Sequence, residues 1–359
     1  VGQHHLIAST SHGRTFSLPL SPEANSHRQL GTKQVFNYPS SVDEALANSP
    51  QLPPEADVRY ATQLTEIPAL SGVNIVQVAA SDRSSFTRTN EGRVLGFGAN
   101  DFGQIGLGST TTVSTVPTPV EIVLAKGYPA GTTITCSNIA AGSQTTFFTV
   151  ERKELNSTTP LVDILSCGNG QYGTLGTGMW SSAAYAPARV KALSGLQECE
   201  FNHVIMSRTT LTSDSEKDKA MVPLVTQSLS IAPSPSAHVF ATLDTLRSAD
   251  AKGIKDGLFG KDVLAWGANG DYQLGNGKRS ATASPTHLPS LIPHAIDTLV
   301  ASSPESAESP IPLTRLQLHA TRADAYDPLG KLITRGVRCE ETVVAGWNCS
   351  VLYNKIVDK

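Results

Sequence analysis

Short segments in which apolar and polar residues alternate recur along the chain. His5-Leu-Ile-Ala-Ser-Thr10 and Ser84-Ser-Phe-Thr-Arg-Thr89 are two of them. A period of two predicts half-buried strands. Each is followed by a Gly turn, at Gly13-Arg14 or Gly92-Arg93, and by a second short strand beginning Thr15-Phe16 or Val94-Leu95. Further copies of the first strand are predicted near Gly142 (Gln144 to Val150), near Pro235 (Ala237 to Leu243) and near Gly346 (Trp347 to Tyr353). The starts at 2, 81, 142, 235 and 346 lie 79, 61, 93 and 111 residues apart. Such variable spacing implies loop insertions into a common unit.

A glycine-rich turn follows the second strand. It reads Gly98-Ala-Asn-Asp-Phe-Gly103-Gln-Ile-Gly106-Leu-Gly108, then Gly168-Asn-Gly-Gln-Tyr-Gly173-Thr-Leu-Gly176-Thr-Gly178, then Gly267-Ala-Asn-Gly-Asp-Tyr-Gln-Leu-Gly275-Asn-Gly277. Glycines stand at the first, ninth and eleventh places of all three. The sixth place is Gly103, Gly173 or Tyr272, and the apolar eighth place is Ile105, Leu175 or Leu274. Gln29-Leu30-Gly31 is a partial echo near the start. Glycine tolerates positive φ and close approach of neighbouring backbones, so these positions are read as structural. A phosphate-cradling role is disfavoured, because no P-loop lysine pattern or helix start follows. The apolar residue is expected to point into the space between neighbouring units.

Composition agrees with many strands and turns. Charged residues make up 16% of the 359 residues, with 29 Gly and 22 Pro. The charge fraction excludes an acidic or basic disordered chain. A formal net charge of −3 gives no global basic footprint for nucleic acid. No run of apolar residues is long enough for a transmembrane helix. The five cysteines, Cys136, Cys167, Cys199, Cys339 and Cys349, include no C-x-x-C pair, which argues against a zinc site or a disulfide framework. No cofactor is implied.

The turn sequences resemble the repeat of the regulator of chromosome condensation family. Asp262-Val-Leu-Ala-Trp266-Gly267-Ala-Asn269 and Gln273-Leu274-Gly275-Asn-Gly277 carry the resemblance, with Tyr272 the departure. The resemblance implies an all-β, seven-bladed β-propeller. Residues 1–359 are then one propeller domain comprising the C-terminal four to five blades, with the N-terminal blades missing. Insertions are expected near 39–72, 205–235, 245–260 and 294–312, with a short helix at 42–47 capped by Ser40 or Ser41. The structural repeat positions are Gly98, Gly103, Gly106, Gly108, Gly168, Gly173, Gly176, Gly178, Trp266, Gly267, Gly275, Gly277 and Gly346.

Segments 172–180, 187–198, 272–279 and 345–353 further resemble a fungal mitochondrial branch of the family. That resemblance implies a non-catalytic scaffold assembling a respiratory complex or the mitochondrial ribosome. Exchange of guanine nucleotide on a small GTPase, in the nucleus, is the alternative. No catalytic constellation is found. Asp101 and Asp271 fall in turns of separate units, where Asp commonly bonds nearby backbone. His4, His5 and His12 do not form a metal site, because neighbours on a strand point to opposite faces. His5 and His238 occupy the place of the family's structural histidine. Arg189, Lys191, Lys278 and Arg279 are basic points expected on a propeller face. Direct nucleic-acid contact has no aromatic pattern behind it.

Overall fold

A computed structural model describes residues 1–21, 23–32, 64–110, 113–155, 159–199, 221–244, 261–291 and 315–358. All sheets in it are antiparallel. The first has β1 (His5–Ser9), β2 (Thr15–Pro19) and β3 (Thr65–Glu66). The second has β4 (Ile75–Ala80), β5 (Ser84–Thr89), β6 (Val94–Ala99) and β7 (Thr115–Glu121). The third has β8 (Thr133–Gly142), β9 (Thr145–Lys153), β10 (Leu161–Gly170) and β11 (Ser181–Arg189). A small ribbon of β12 (Gln197–Cys199) and β13 (Met221–Pro223) comes next.

The fourth sheet has β14 (Thr226–Ile231), β15 (His238–Leu243), β16 (Lys261–Gly267) and β17 (Thr282–His287), with β18 (Gln317–Leu318) pairing the start of β16. The fifth has β19 (Ala320–Tyr326), β20 (Leu332–Ala345) and β21 (Ser350–Asp358). Apart from β18, each strand pairs only with neighbours in sequence, so every sheet is a local meander.

The sheets pack face to face in chain order. Strands β4, β8, β14 and β20 lie side by side along the inner edge, with β1 of the first blade packed beside β4. Four apolar clusters fill the four interfaces. Ile7, Ile67, Leu70, Ala80 and Phe97 join the first two sheets. Phe86, Ile105, Ile139, Phe148 and Leu165 join the second and third. Phe147, Ile164, Val239, Leu264 and Trp266 join the third and fourth. Phe240, Val263, Leu274, Leu318 and Val343 join the fourth and fifth. This is the arrangement of propeller blades: a twisted meander buries both faces only against its neighbours. Ile105 and Leu274, the apolar residues of the turns, sit in inter-blade clusters as expected.

Two expected insertions need correction. The segment 39–72 includes β3 and a 3₁₀ turn at Pro68–Leu70, because Thr65 and Glu66 pair with β2 and complete the first blade. The segment 205–235 includes β13 and β14, and β14 is the inner strand of the fourth blade. The helix expected at 42–47 and the insertions at 245–260 and 294–312 lie outside the described residues.

Candidate interaction face

The strand register places two kinds of loop at the same end of each blade. Ser84 of β5 pairs with Gly98 of β6, Thr145 of β9 with Gly168 of β10, and His238 of β15 with Gly267 of β16. The hairpin tip entering the first strand of each pair therefore sits beside the glycine-rich turn leaving the second. Hydrogen bonds link the tips from blade to blade: Gln3 N–H donates to Asp82 O at 3.2 Å, and Asp82 N–H to Ser143 O at 3.1 Å. Burial is the main cause raising the Asp82 carboxyl above its ordinary range, opposed by a hydrogen bond from Ser234. Further along, Asn348 N–H donates to Ser236 Oγ at 2.5 Å.

The turns are braced by two polar side chains. Asn100 and Asn269 each accept from the N–H five residues on, of Ile105 and Leu274, both at 3.0 Å. Gln29, Gln104 and Gln273 accept through Oε1 from the N–H two residues earlier, of His27, Phe102 and Asp271. The outer face of a turn then packs on the next blade's outermost strand. Gly108 N–H donates to Tyr185 O, and Gly178 N–H to Ala283 O, both at 2.8 Å. A Cβ at Gly103 would stand 2.4 Å from Tyr185 Cα, and one at Gly173 would stand 2.6 Å from Ala283 Cα. These glycines are required by close approach as well as by φ of +78° and +76°. Arg28 and Tyr272 occupy the same place in the first and fourth turns at φ of 64° and 61°.

A further regularity was not visible in the sequence. The backbone carbonyl at the Gln position of each turn accepts a bond from the next blade, from a hydroxyl, a thiol, an indole and again a hydroxyl. Ser85 Oγ donates to Gln29 O at 2.8 Å, Cys167 Sγ to Gln104 O at 3.4 Å, Trp266 Nε1 to Thr174 O at 2.6 Å, and Ser350 Oγ to Gln273 O at 2.5 Å. Where a serine gives its only proton to that carbonyl, a histidine from the preceding blade completes the set. His5 Nε2–H donates to Ser85 Oγ at 2.8 Å, and His238 Nε2–H reaches Ser350 Oγ and Cys349 O, each at 3.2 Å. Both Nδ1 atoms are buried without a partner. Burial holds both imidazoles neutral, with pKa lowered to about 4. These histidines therefore latch blades together. Their pattern, a histidine with a serine one place beyond the equivalent position in the next repeat, is the signal that could have revealed them.

Other sequence candidates are dispersed. His4 accepts or donates at Ser21 Oγ, 2.8 Å away, and lies 3.4 Å from Glu23. Among the described residues no group of three or more His, Cys, Asp or Glu could hold a metal ion. Asp101 lies in the second turn and Asp271 in the fourth, and Asp101 engages Tyr185 Oη through its backbone carbonyl. Arg189 and Lys191 are not on the face with Lys278 and Arg279. Arg189 pairs across from Leu165 at the far end of β11, where Ser181 is the turn end. There Arg189 Nε lies 3.4 Å from Asp163 Oδ2, and the guanidinium stacks 4.8 Å over Tyr128.

The turn face exposes large side chains. Trp180 is 57% exposed and Tyr272 55%, with Tyr172 and Met179 alongside in the third turn. Arg279 lies 5.6 Å over the Tyr272 ring and donates through Nε to Gly270 O at 2.8 Å. Trp347, at the fifth hairpin tip, is 69% exposed. Exposed Trp, Tyr, Met and Arg are the residue types enriched at protein interfaces. Between β4, β8 and β14 lies a hollow of about 420 Å³ lined by uncharged side chains, among them Asn138, Gln227 and Ser228. No described helix is long and apolar enough to cross a membrane.

Comparison with known proteins matches the second and fourth turns to a known repeat. Residues 91–149 and 262–299 match the regulator of chromosome condensation (RCC1) repeat, and residues 75–104 match a second profile of the same repeat. The ultraviolet-B receptor UVR8 of Arabidopsis thaliana is 32% identical over 143 residues, which is 39% of this chain and 28% of that protein. Human WBSCR16 superposes with a TM-score of 0.46 at 18% identity, covering 81% of this chain and 53% of WBSCR16. Yeast RCC1 (Prp20), in complex with Kap60, gives 0.47 at 16% identity, covering 81% and 48%. The chain thus spans about half the length of those structures and less of the plant receptor. Residues 75–149 and 262–299 of this chain therefore carry the regulator of chromosome condensation repeat.

Proposed function

We propose that this protein is a non-catalytic interaction scaffold that holds protein partners on the turn face. The observation that carries the proposal is the exposure of Tyr172, Met179, Trp180, Tyr272 and Trp347 with Arg279 at one end of the blades. Such side chains give up large apolar areas to water unless a partner covers them. The narrower form of the proposal is a mitochondrial assembly factor for a respiratory complex or the mitochondrial ribosome. What supports it is the resemblance of the turns and the 345–353 segment to the mitochondrial branch. A seven-bladed ring with further N-terminal blades belongs to the same reading, and a full-length sequence holding no further repeats would overturn it. Crosslinking mass spectrometry on purified mitochondria is expected to recover respiratory or ribosomal subunits through the turn face; recovery of none rejects the narrower form.

The matches to this repeat also favour a second reading, nucleotide exchange on a small GTPase. An exchange factor accelerates release of labelled guanine nucleotide from its GTPase. No acceleration across mitochondrial and nuclear GTPases removes this reading and leaves the scaffold.

A further inference from the structure

The two ends of the third turn meet on one residue of the next blade. A Cβ at Gly173 would stand 2.6 Å from Ala283 Cα, and Gly178 N–H donates to Ala283 O at 2.8 Å. The fourth blade holds the middle of the turn as well. Trp266 Nε1 donates to Thr174 O at 2.6 Å, and Thr174 Oγ1 to Ala237 O at 3.3 Å. The turn is thus bounded by its own blade and by strands of the fourth. Tyr172 beside Gly173, and Met179 and Trp180 beyond Gly178, are gathered around Ala283, yet they stay 47%, 64% and 57% exposed.

Polar groups of this turn are already spent. Asn169 Nδ2 donates to Gln144 Oε1 at 2.9 Å, and Asn169 Oδ1 accepts from Gln171 N–H at 3.0 Å. Ser181 Oγ donates to Ala183 O at 2.8 Å. The largest exposed groups are a thioether and two aromatic rings. Charge is missing too. No residue from Ile164 to Ala188 is charged, nor any from Ile231 to Ala237 at the fourth hairpin tip or from Thr282 to Thr286 of β17. The first and second turns differ. They carry Glu23, Arg28 and Asp101, and Arg83 at the second hairpin tip lies 3.6 Å from Glu23. The turn face therefore has a charged sector and a neutral one.

This contrast says what fits the third turn. A charged group pressed against it loses water and gains no counter-charge. That disfavours an acidic segment and a nucleic-acid backbone alike. A sugar needs fixed polar partners, and Asn169 is already engaged. An aliphatic or prolyl group gains by leaving water, and the flexible thioether and flat rings adapt to its shape. We propose that the third turn docks an uncharged, apolar segment of a protein partner on Tyr172, Met179 and Trp180. This deepens the scaffold reading and rests on it.

Selection of a phage-displayed random peptide library on the immobilised 359-residue chain tests it. Selected peptides are expected to be rich in Leu, Ile, Pro and aromatic residues and poor in Asp, Glu, Lys and Arg. Their binding is expected to be the same at low and high salt, since no charge is there to be screened. Met179→Ser with Trp180→Ser is expected to weaken it by about tenfold or more, with unchanged circular dichroism. Met179→Glu, which brings a charge into the neutral sector, is expected to do the same, and Arg83→Gln to leave binding intact. Charged peptides, salt-sensitive binding, binding that survives the double variant, or a glycan array bound through Trp180 each overturn the proposal. Peptides held only through Arg83 and Glu23 overturn it while the scaffold reading stands. If no peptide is selected and no protein crosslinks to the turn face, both fall.

Discussion

At the scale of single residues, the latching histidines make a pH prediction. His5 and His238 are held neutral with folded pKa of about 4, against about 6.5 in an unfolded chain. The unfolded state therefore binds more protons between those values. Stability is fully present above about pH 6.5 and is lost as pH falls towards 4, by roughly 3 kcal/mol for each histidine at most. Asp82 runs the other way, since its raised carboxyl favours the protonated folded form. Urea unfolding from pH 7.5 to 4.5 is expected to show this loss, and His5→Gln with His238→Gln is expected to flatten it. A slope unchanged in the double variant means that the histidines are not the titrating groups.

The glycines separate two causes of rigidity. Gly275 has φ of +68° with open space around it, so Gly275→Val is strained by backbone alone, by about 1–3 kcal/mol. Gly103→Ala adds a collision with the Tyr185 backbone to a similar φ. It is expected to lower the melting temperature more than Gly275→Ala. Tyr272→Gly relieves a positive φ and is expected to be neutral or to stabilise by about 1 kcal/mol.

At the scale of elements, one ion pair recurs at the end of the blades opposite the turns, with its sign reversed midway. Arg14 pairs with Glu66 and Arg93 with Glu121. Asp163, five residues before Gly168 as Arg93 is before Gly98, pairs with Arg189, which faces Leu165 as Glu121 faces Leu95. The reversal changes the energetics. Arg93 and Glu121 are exposed, and such pairs contribute about 0–1 kcal/mol. Asp163 is buried, bonded by Arg152 Nε at 3.0 Å and by Tyr128 Oη at 2.9 Å. Removing its charge leaves Arg152 facing a neutral group in a buried setting, a change of about 3–5 kcal/mol in comparable pairs. Asp163→Asn is therefore expected to destabilise several-fold more than Glu121→Gln in denaturant titration. Equal effects would mean that solvent screens both sites alike.

At the scale of the whole molecule, the blades stand only because neighbours cover their faces, and the turn face is what this stacking leaves exposed. Trp180→Ala and Tyr272→Ala together are expected to reduce partner recovery in crosslinking while leaving the melting temperature within about 2 °C of wild type, since exposed side chains contribute little to stability. Normal recovery with the double variant would place binding elsewhere.

Much of this architecture was legible in the chain. The recurring short segments marked β1, β5, β9 and β15, and β5, β9 and β15 prove buried on both faces rather than on one, because neighbouring blades cover each side. Offsets among Gly98, Gly103, Gly106 and Gly108 marked the turn, because positive φ and backbone contact admit few other residues. The strands β3 and β14 fall in segments that the sequence marks as insertions, since neither two residues at Thr65–Glu66 nor the polar Thr226-Gln-Ser-Leu-Ser carries a period that stands alone. Arg189 and Lys278 looked alike as basic points and lie at opposite blade ends, a distinction that only strand direction supplies. Sequence by itself determined the repeating unit and its turns, since those depend on local sterics. Tertiary structure decided which donor closes each turn carbonyl, because a hydroxyl, a thiol and an indole from the next blade can each meet one acceptor and no local pattern distinguishes them.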